Sequence, residues 1–305
     1  MLRAVISPLL TSASLEYFWG ILMHIINDTS SLRILVLSAR QAGQKIAFVP
    51  TMGNLHEGHL SLIDEAKKQA DLIIASIFVN PMQFGANEDL DAYPRTFKAD
   101  SEVLSQRGCN ILFAPTVKEV YPNGMQAETK VDVPSLGKYH CGASREGHFI
   151  GVSTVVAKLF NMVQTDVAIF GQKDFQQLAV IRKMTKDLCF PIEIIGVPTS
   201  REASGLARSS RNSYLNTEEK KSSVALFKVL CECKETLQKG GIDDISHLKS
   251  KALATLKEHG FTPDYFNFAN PHTLEKSQIS DTEIVILAAA YMGTTRLIDN
   301  ITVSL

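Results

Sequence analysis

Two histidines three residues apart, His56 and His59, stand in the run Pro50-Thr51-Met52-Gly53-Asn54-Leu55-His56-Glu57-Gly58-His59. An apolar, strand-like stretch precedes this run and a stretch of helical period follows it. Such a junction binds anions, because the first amides of a helix carry partial positive charge and glycines such as Gly53 and Gly58 admit a phosphate to the backbone. Side chains three apart share a helix face, so both imidazoles can donate to the same phosphate oxygens. An isolated H-x-x-H is more often a zinc pair or two structural histidines. No further zinc ligands stand out in the sequence, and the glycines with their strand-helix context turn the balance toward phosphate.

Three other clusters have the right chemistry to complete such a site. Phe170-Gly171-Gln172-Lys173-Asp174-Phe175-Gln176-Gln177 again follows an apolar strand and opens a helix. There Lys173 can neutralise phosphate and Asp174 can accept from ribose hydroxyls, although a Lys-Asp pair at a helix start is usually only a solvated cap. Arg208-Ser209-Ser210-Arg211-Asn212 compresses hydroxyls and guanidiniums into one short loop, as a polyphosphate clamp or else an exposed basic turn. In Ser76-Ile77-Phe78-Val79-Asn80-Pro81-Met82-Gln83-Phe84, Pro81 stops a strand and leaves Gln83 at its end. Gln83 and Gln177 are neutral amides suited to a hydroxylated carboxylate at a crevice edge, or equally to the surface.

For these clusters to meet, the chain must build a sheet. Apolar, β-branched runs at Ile46–Pro50, Leu72–Val79, Ile111–Ala114, Val167–Phe170 and Ile192–Val197 alternate with segments of helical period. That alternation predicts crossover units and a parallel sheet. Leu60, Ile63 and Ala66, and likewise Val152, Val155, Val156, Leu159 and Val163, fall on single helix faces. In a doubly wound sheet the strand ends lie along one edge, so the loops at His56 and Lys173 face one crevice. After about Arg211 the texture changes to Lys- and Glu-rich amphipathic helices and two late strand-like runs, Ile284–Ala290 and Thr295–Ile298. The fold class is therefore α/β over residues 23–200, followed by a smaller α+β C-terminal domain over 201–305. The boundary falls between Val197 and Asn216.

Composition narrows the function classes. The 305 residues are 45% hydrophobic and 21% charged, enough apolar side chain for two medium cores. Lys+Arg 31 against Asp+Glu 32 gives a net charge of -1 and no basic field for nucleic acid. Five cysteines without zinc-ribbon spacing fit a reducing cytoplasm. Cys231 and Cys233, two apart on a helical stretch, read as packing or surface thiols. Leu15–Ile26 contains Glu16 and is shorter than the ~20 residues of a membrane span, so no membrane segment is expected. Residues 1–22 meet the pattern of a leader only loosely, and Met23 is the more economical start.

Taken together, the clusters resemble the pantoate:beta-alanine ligase family. The likeness runs from about Met23 to the C-terminus through Pro50–His59, Ser76–Phe84, Asp91–Arg95, Gly147–Lys158, Gly171–Leu178, Ser209–Asn212 and Arg296–Asn300. It implies a Rossmann-like, nucleotidyltransferase-type domain with a mobile C-terminal lid, a homodimer joined through the N-terminal domain, and two steps requiring Mg2+. Pantoate and ATP would give pantoyl-adenylate and pyrophosphate, and beta-alanine would then displace AMP. The resemblance puts ATP at Met52, Gly53, Asn54, Leu55, His56, Glu57, Gly58 and His59, at Gly171, Gln172, Lys173 and Asp174, and at Ser200, Arg208, Ser209, Ser210 and Arg211. It puts pantoate at Gln83 and Gln177 and makes His59 the proton donor, with His56 and Lys173 beside it. It assigns no metal ligands.

Three features depart from the family pattern. Gln172 stands where Glu is usual, Arg208 stands where an apolar Met or Leu lies near the adenine, and a segment precedes Met23. Arg208 must therefore turn outward or stack on the base. Two other readings compete: a nucleotidyltransferase that leaves its nucleotide on the product, and a catalytically silent interaction dimer.

Overall fold

The structure, a computed structural model, describes residues 23–85, 88, 90–240 and 245–305. The proposed extension, residues 1–22, lies outside the described residues. Strands β1 (His24–Ile26), β2 (Ile46–Thr51), β3 (Leu72–Ile77), β4 (Ile111–Phe113), β5 (Val167–Gly171) and β6 (Glu193–Val197) form one sheet in the order β1-β4-β3-β2-β5-β6. All its pairings are parallel. From β2 the chain winds to β3 and β4 on one side, then returns to β5 on the other. The winding reverses between β2 and β5, and ligands of open α/β sheets bind outside the carboxyl ends at such a point.

The connecting helices are α1 (Thr29–Gln41), α2 (Glu57–Gln69), α3 (Phe97–Gln106), α4 (His148–Val163) and α5 (Phe175–Asp187). Leu60, Ile63 and Ala66 of α2 are buried as the spacing predicts, and α4 is buried nearly all round, Val152, Val155, Val156, Leu159 and Val163 included. Phe48, Phe113 and Phe160 are among the largest fully buried side chains, and each such side chain stabilises the fold by about 1.5–3 kcal/mol. No described helix is long and apolar enough to cross a membrane.

After β6 come α6 (Thr217–Ser223), α7 (Ala225–Gly240), α8 (Ile245–Glu258) and an antiparallel sheet of β7 (Phe261–Ala269), β8 (Glu283–Met292) and β9 (Thr295–Ser304), with β8 central. Side chains of β8 alternate. Ile284, Ile286 and Ala288 join the core under α7 and α8, whereas Val285 and Leu287 join the core of the first sheet. A strand covered on both faces reads as an unbroken apolar run.

Two strands are not predicted. β1 has three residues, too few for a period-2 signal. β7 carries Pro263, which argues against a strand, but it is an edge strand whose register shifts between Pro263 and Tyr265. The run Leu72–Val79 also ends early, at Ile77, because Asn80 caps a 3-10 turn over Pro81–Gln83.

Candidate active site

At the end of β2 the chain turns through Gly53 at φ +83° and Asn54 at φ +50°, left-handed geometry natural to these residue types. Asp100, buried on α3, holds the turn: its carboxylate accepts from the Asn54 amide at 2.9 Å, the Leu55 amide at 2.8 Å and the Thr96 hydroxyl at 3.0 Å. His56 caps α2, its Nδ1 accepting from the Gly58 amide at 3.1 Å. His59 Nδ1 accepts in turn from the His56 amide at 3.3 Å, and the two rings lie 4.1 Å apart. Backbone donors thus occupy both Nδ1 atoms, which places the proton of each neutral ring on Nε2.

This arrangement alters the expected anion cradle. The loop amides of Asn54, Leu55, His56 and Gly58 are already hydrogen-bonded within the protein, so its donors toward a ligand are chiefly side chains. Gly58 also has a different reason: a Cβ there would stand 2.8 Å from His56 Cε1.

Burial first, then the Lys173 and Arg208 charges, holds His56 down at about 4. Burial, with His56 and Lys173 adding to it, holds His59 down at about 3. Both are neutral hydrogen-bond donors near neutral pH, not imidazolium ions.

Across the crevice, Gln83 spans a short polar network. Its Oε1 accepts from Asn80 Nδ2 at 3.1 Å and its Nε2 points at Met52 Sδ, 3.1 Å away. Buried Asn80 is itself fixed by the Tyr121 hydroxyl at 2.7 Å and the Gly151 carbonyl at 3.2 Å. The Gln83 carbonyl lies 2.9 Å from His148 Nδ1, while His148 Nε2 lies 3.0 Å from Arg145. Burial and Arg145 push His148 down to about 4, so Nδ1 donates and Nε2 accepts. Arg145 closes the row on Glu88, with both bonds at 2.6 Å.

The second and third loops come to the same edge. Lys173 and Asp174 lie in a 3-10 turn over Gln172–Asp174 that follows β5, and the Asp174 side chain makes no cap bond. Ser210 Oγ donates to the Asn54 carbonyl at 3.0 Å, tying the serine loop directly to the histidine loop. Ser209 Oγ accepts from the Arg211 amide at 3.3 Å.

A cavity of about 240 Å³ results, walled by Met52, His56, Gly58, His59, Gln83, Gly171, Lys173, Asp174, Gln177, Ser200, Arg208, Ser209, Ser210 and Arg211 among others. Gly53, Asn54, Leu55, Glu57 and Gln172 stand outside that wall. Glu57 pairs with Arg107 at 3.3 Å and Gln172 reaches the Gly196 carbonyl at 3.4 Å. Arg208 faces inward, where its charge is felt by His56, and does not turn outward. Among the described residues Arg145, Lys173, Arg208 and Arg211 line this cavity against one carboxylate, Asp174. A second cavity of about 660 Å³ shares Arg145, His148, Lys173, Asp174, Gln177, Ser209 and Arg211 and is closed by Tyr265, Tyr291, Arg296 and Asn300 of the second sheet.

The sequence clusters do not reveal Asp100, Arg145, His148 or Asn300. His148 and Asn300 fall inside blocks of the family likeness, but their roles depend on partners 65 and 128 residues away.

This geometry meets an independent finding: the sequence profile described as pantoate-beta-alanine ligase matches residues 24–302. The chain belongs to that family. A pantothenate synthetase from Pseudomonas entomophila (strain L48) is 54% identical over 279 residues, 92% of this chain and 97% of the relative. One from Hahella chejuensis is 54% identical over 283 residues, 93% of this chain and 100% of the relative. The crystal structure of pantothenate synthetase from Thermus thermophilus superposes with a TM-score of 0.82 at 40% identity, covering 92% of this chain and 99% of that one. The Francisella tularensis pantoate-beta-alanine ligase, solved with beta-gamma ATP and beta-alanine, gives a TM-score of 0.75 at 33% identity over 92% and 97%. The chain is thus a ligase of pantothenate biosynthesis. The Rossmann-like parallel sheet and smaller antiparallel sheet are the architecture of these relatives.

Proposed function

We propose that this ligase uses ATP to condense pantoate with beta-alanine through a pantoyl-adenylate, releasing pyrophosphate and then AMP. The observation that carries the reading is the convergence of His56, His59, Lys173, Ser209, Ser210 and Arg211 on one cavity at the point where the sheet reverses its winding. The relative solved with beta-gamma ATP and beta-alanine supports it.

In the first step a pantoate carboxylate oxygen, steered by Gln83 and Gln177, attacks the α-phosphorus, and the bond from that phosphorus to the pyrophosphate oxygen breaks. Phosphoryl transfer of this kind needs in-line positioning and neutralisation of spreading charge. The Nε2–H groups of His56 and His59 donate to phosphate oxygens. Lys173 and Arg211 neutralise the leaving pyrophosphate, with Ser209 and Ser210 beside them. Removing one such donor costs on the order of 10²–10³ in rate. In the second step the beta-alanine amine attacks the acyl carbon, the acyl-phosphate C–O bond breaks with AMP leaving, and the nitrogen loses a proton.

Magnesium would be held mostly by phosphate oxygens: no group of three or more His, Cys, Asp or Glu side chains among the described residues is placed to hold a metal, and Asp174 is the carboxylate at hand. Bound there, it would add positive charge along the triphosphate. The same reading has the enzyme act as a homodimer in the cytoplasm.

The test is product analysis with beta-alanine omitted and restored. Enzyme, ATP and pantoate alone should release pyrophosphate stoichiometric with enzyme, and adding beta-alanine should restore turnover with equal AMP. A nucleotidylated product that survives beta-alanine would overturn the reading in favour of a simple nucleotidyltransferase.

A further inference from the structure

We infer that Asn300, on β9 of the second sheet, is a positioning residue for Lys173, fixing the turn that carries the ammonium only while the second sheet is docked on the first. The inference rests on the reading of Lys173 as a phosphate-binding group. Asn300 Nδ2 donates to the Gln172 carbonyl at 2.9 Å and to the Lys173 carbonyl at 2.8 Å. One carboxamide nitrogen has two hydrogens, and each finds one of two successive carbonyls.

The turn has little support of its own. Neither Gly171 nor Asp174 supplies a side-chain cap, and the Gln172 bond to Gly196 is long at 3.4 Å. Asn300, in contrast, is anchored. Its amide donates to Asp299 Oδ1 at 2.8 Å, and buried Asp299 forms a two-pronged pair with Arg201 at 2.6 and 2.9 Å. The Arg201 guanidinium lies 3.5 Å from the centroid of the Phe227 ring. A rigid series therefore runs from α7 through β9 into the turn after β5. Were β9 to draw away, both carbonyls would be released and the lysine backbone with them.

A misplacement of about 1 Å at a reacting group costs on the order of 10² in rate. The experiment follows pyrophosphate release from ATP and pantoate in single-turnover mode, using the full chain and variants confirmed folded by thermal melting. Asn300→Ala and the near-isosteric Asn300→Asp, which sets an acceptor against two carbonyls, should each fall about 10²-fold with KM for pantoate within about threefold. Asn300→Ser, retaining one donor, should fall less and serves where the alanine variant does not fold.

The double variant Lys173→Ala/Asn300→Ala should match Lys173→Ala within about threefold, since Asn300 acts through Lys173, whereas independent effects would multiply. Multiplying effects would overturn the inference. So would a folded Asn300→Ala or Asn300→Ser variant at wild-type rate beside a crippled Lys173→Ala. A near-normal Lys173→Ala would instead sink the reading of Lys173 on which the inference stands.

Discussion

Consider replacing Gly58 by alanine. The new Cβ would stand 2.8 Å from His56 Cε1 and 2.9 Å from Nδ1, where ordinary contacts begin at 3.4 Å. Gly58 is the second residue of α2 and its φ is not left-handed, so the backbone accepts alanine and the His56 ring must yield by more than half an ångström. Two effects on stability nearly cancel. Alanine gains about 0.5–1 kcal/mol over glycine in a helix, and the disturbed His56 cap loses about 1 kcal/mol. Catalysis has no such compensation, because a donor aimed at phosphate moves by more than half an ångström, a good part of the roughly 1 Å misplacement that costs on the order of 10² in rate. The assay pairs thermal melting with pyrophosphate release from ATP and pantoate. We expect a midpoint within about 3 °C of wild type and a rate about 10- to 10²-fold lower. On a His56→Ala background the same substitution should cost almost nothing further. Wild-type turnover in Gly58→Ala would refute the assignment of His56 to the phosphates.

Two further outcomes concern stability. His148 is buried with its proton affinity pushed down to about 4, so the unfolded chain, near 6.5, binds the proton more readily. Its contribution is intact above pH 6.5 and is lost as pH falls toward 4, about 2 kcal/mol between pH 7 and pH 5; His56 and His59, also held down, add loss in the same direction, so melting at both values should show a larger total and His148→Gln should lessen it by about that 2 kcal/mol. Arg201→Ala would strand the buried Asp299 carboxylate and should destabilise the protein by about 3–5 kcal/mol, as read by denaturant titration; a change under about 1 kcal/mol would show that the pair is dispensable.

Much of this protein is written locally. Parallel strands covered on both faces need continuous apolar runs, so Ile46–Val49, Leu72–Ala75 and Val167–Phe170 announce themselves, and helices packed on them need the 3.6-residue stripe seen in Leu60, Ile63 and Ala66. Because chemistry sits where such strands end, the pattern of strands by itself sets the loops at His56, Lys173 and Ser209 along one edge. Sequence spacing carried no information about contacts made across the fold. That Asp100 takes the loop amides, that Arg208 faces inward and that Asn300 reaches the turn carrying Lys173 are decided by residues 45 or more positions apart meeting in space. Such hydrogen bonds depend on distance and direction between atoms that no periodicity relates, and they decide which donors remain for a ligand and in which charge state.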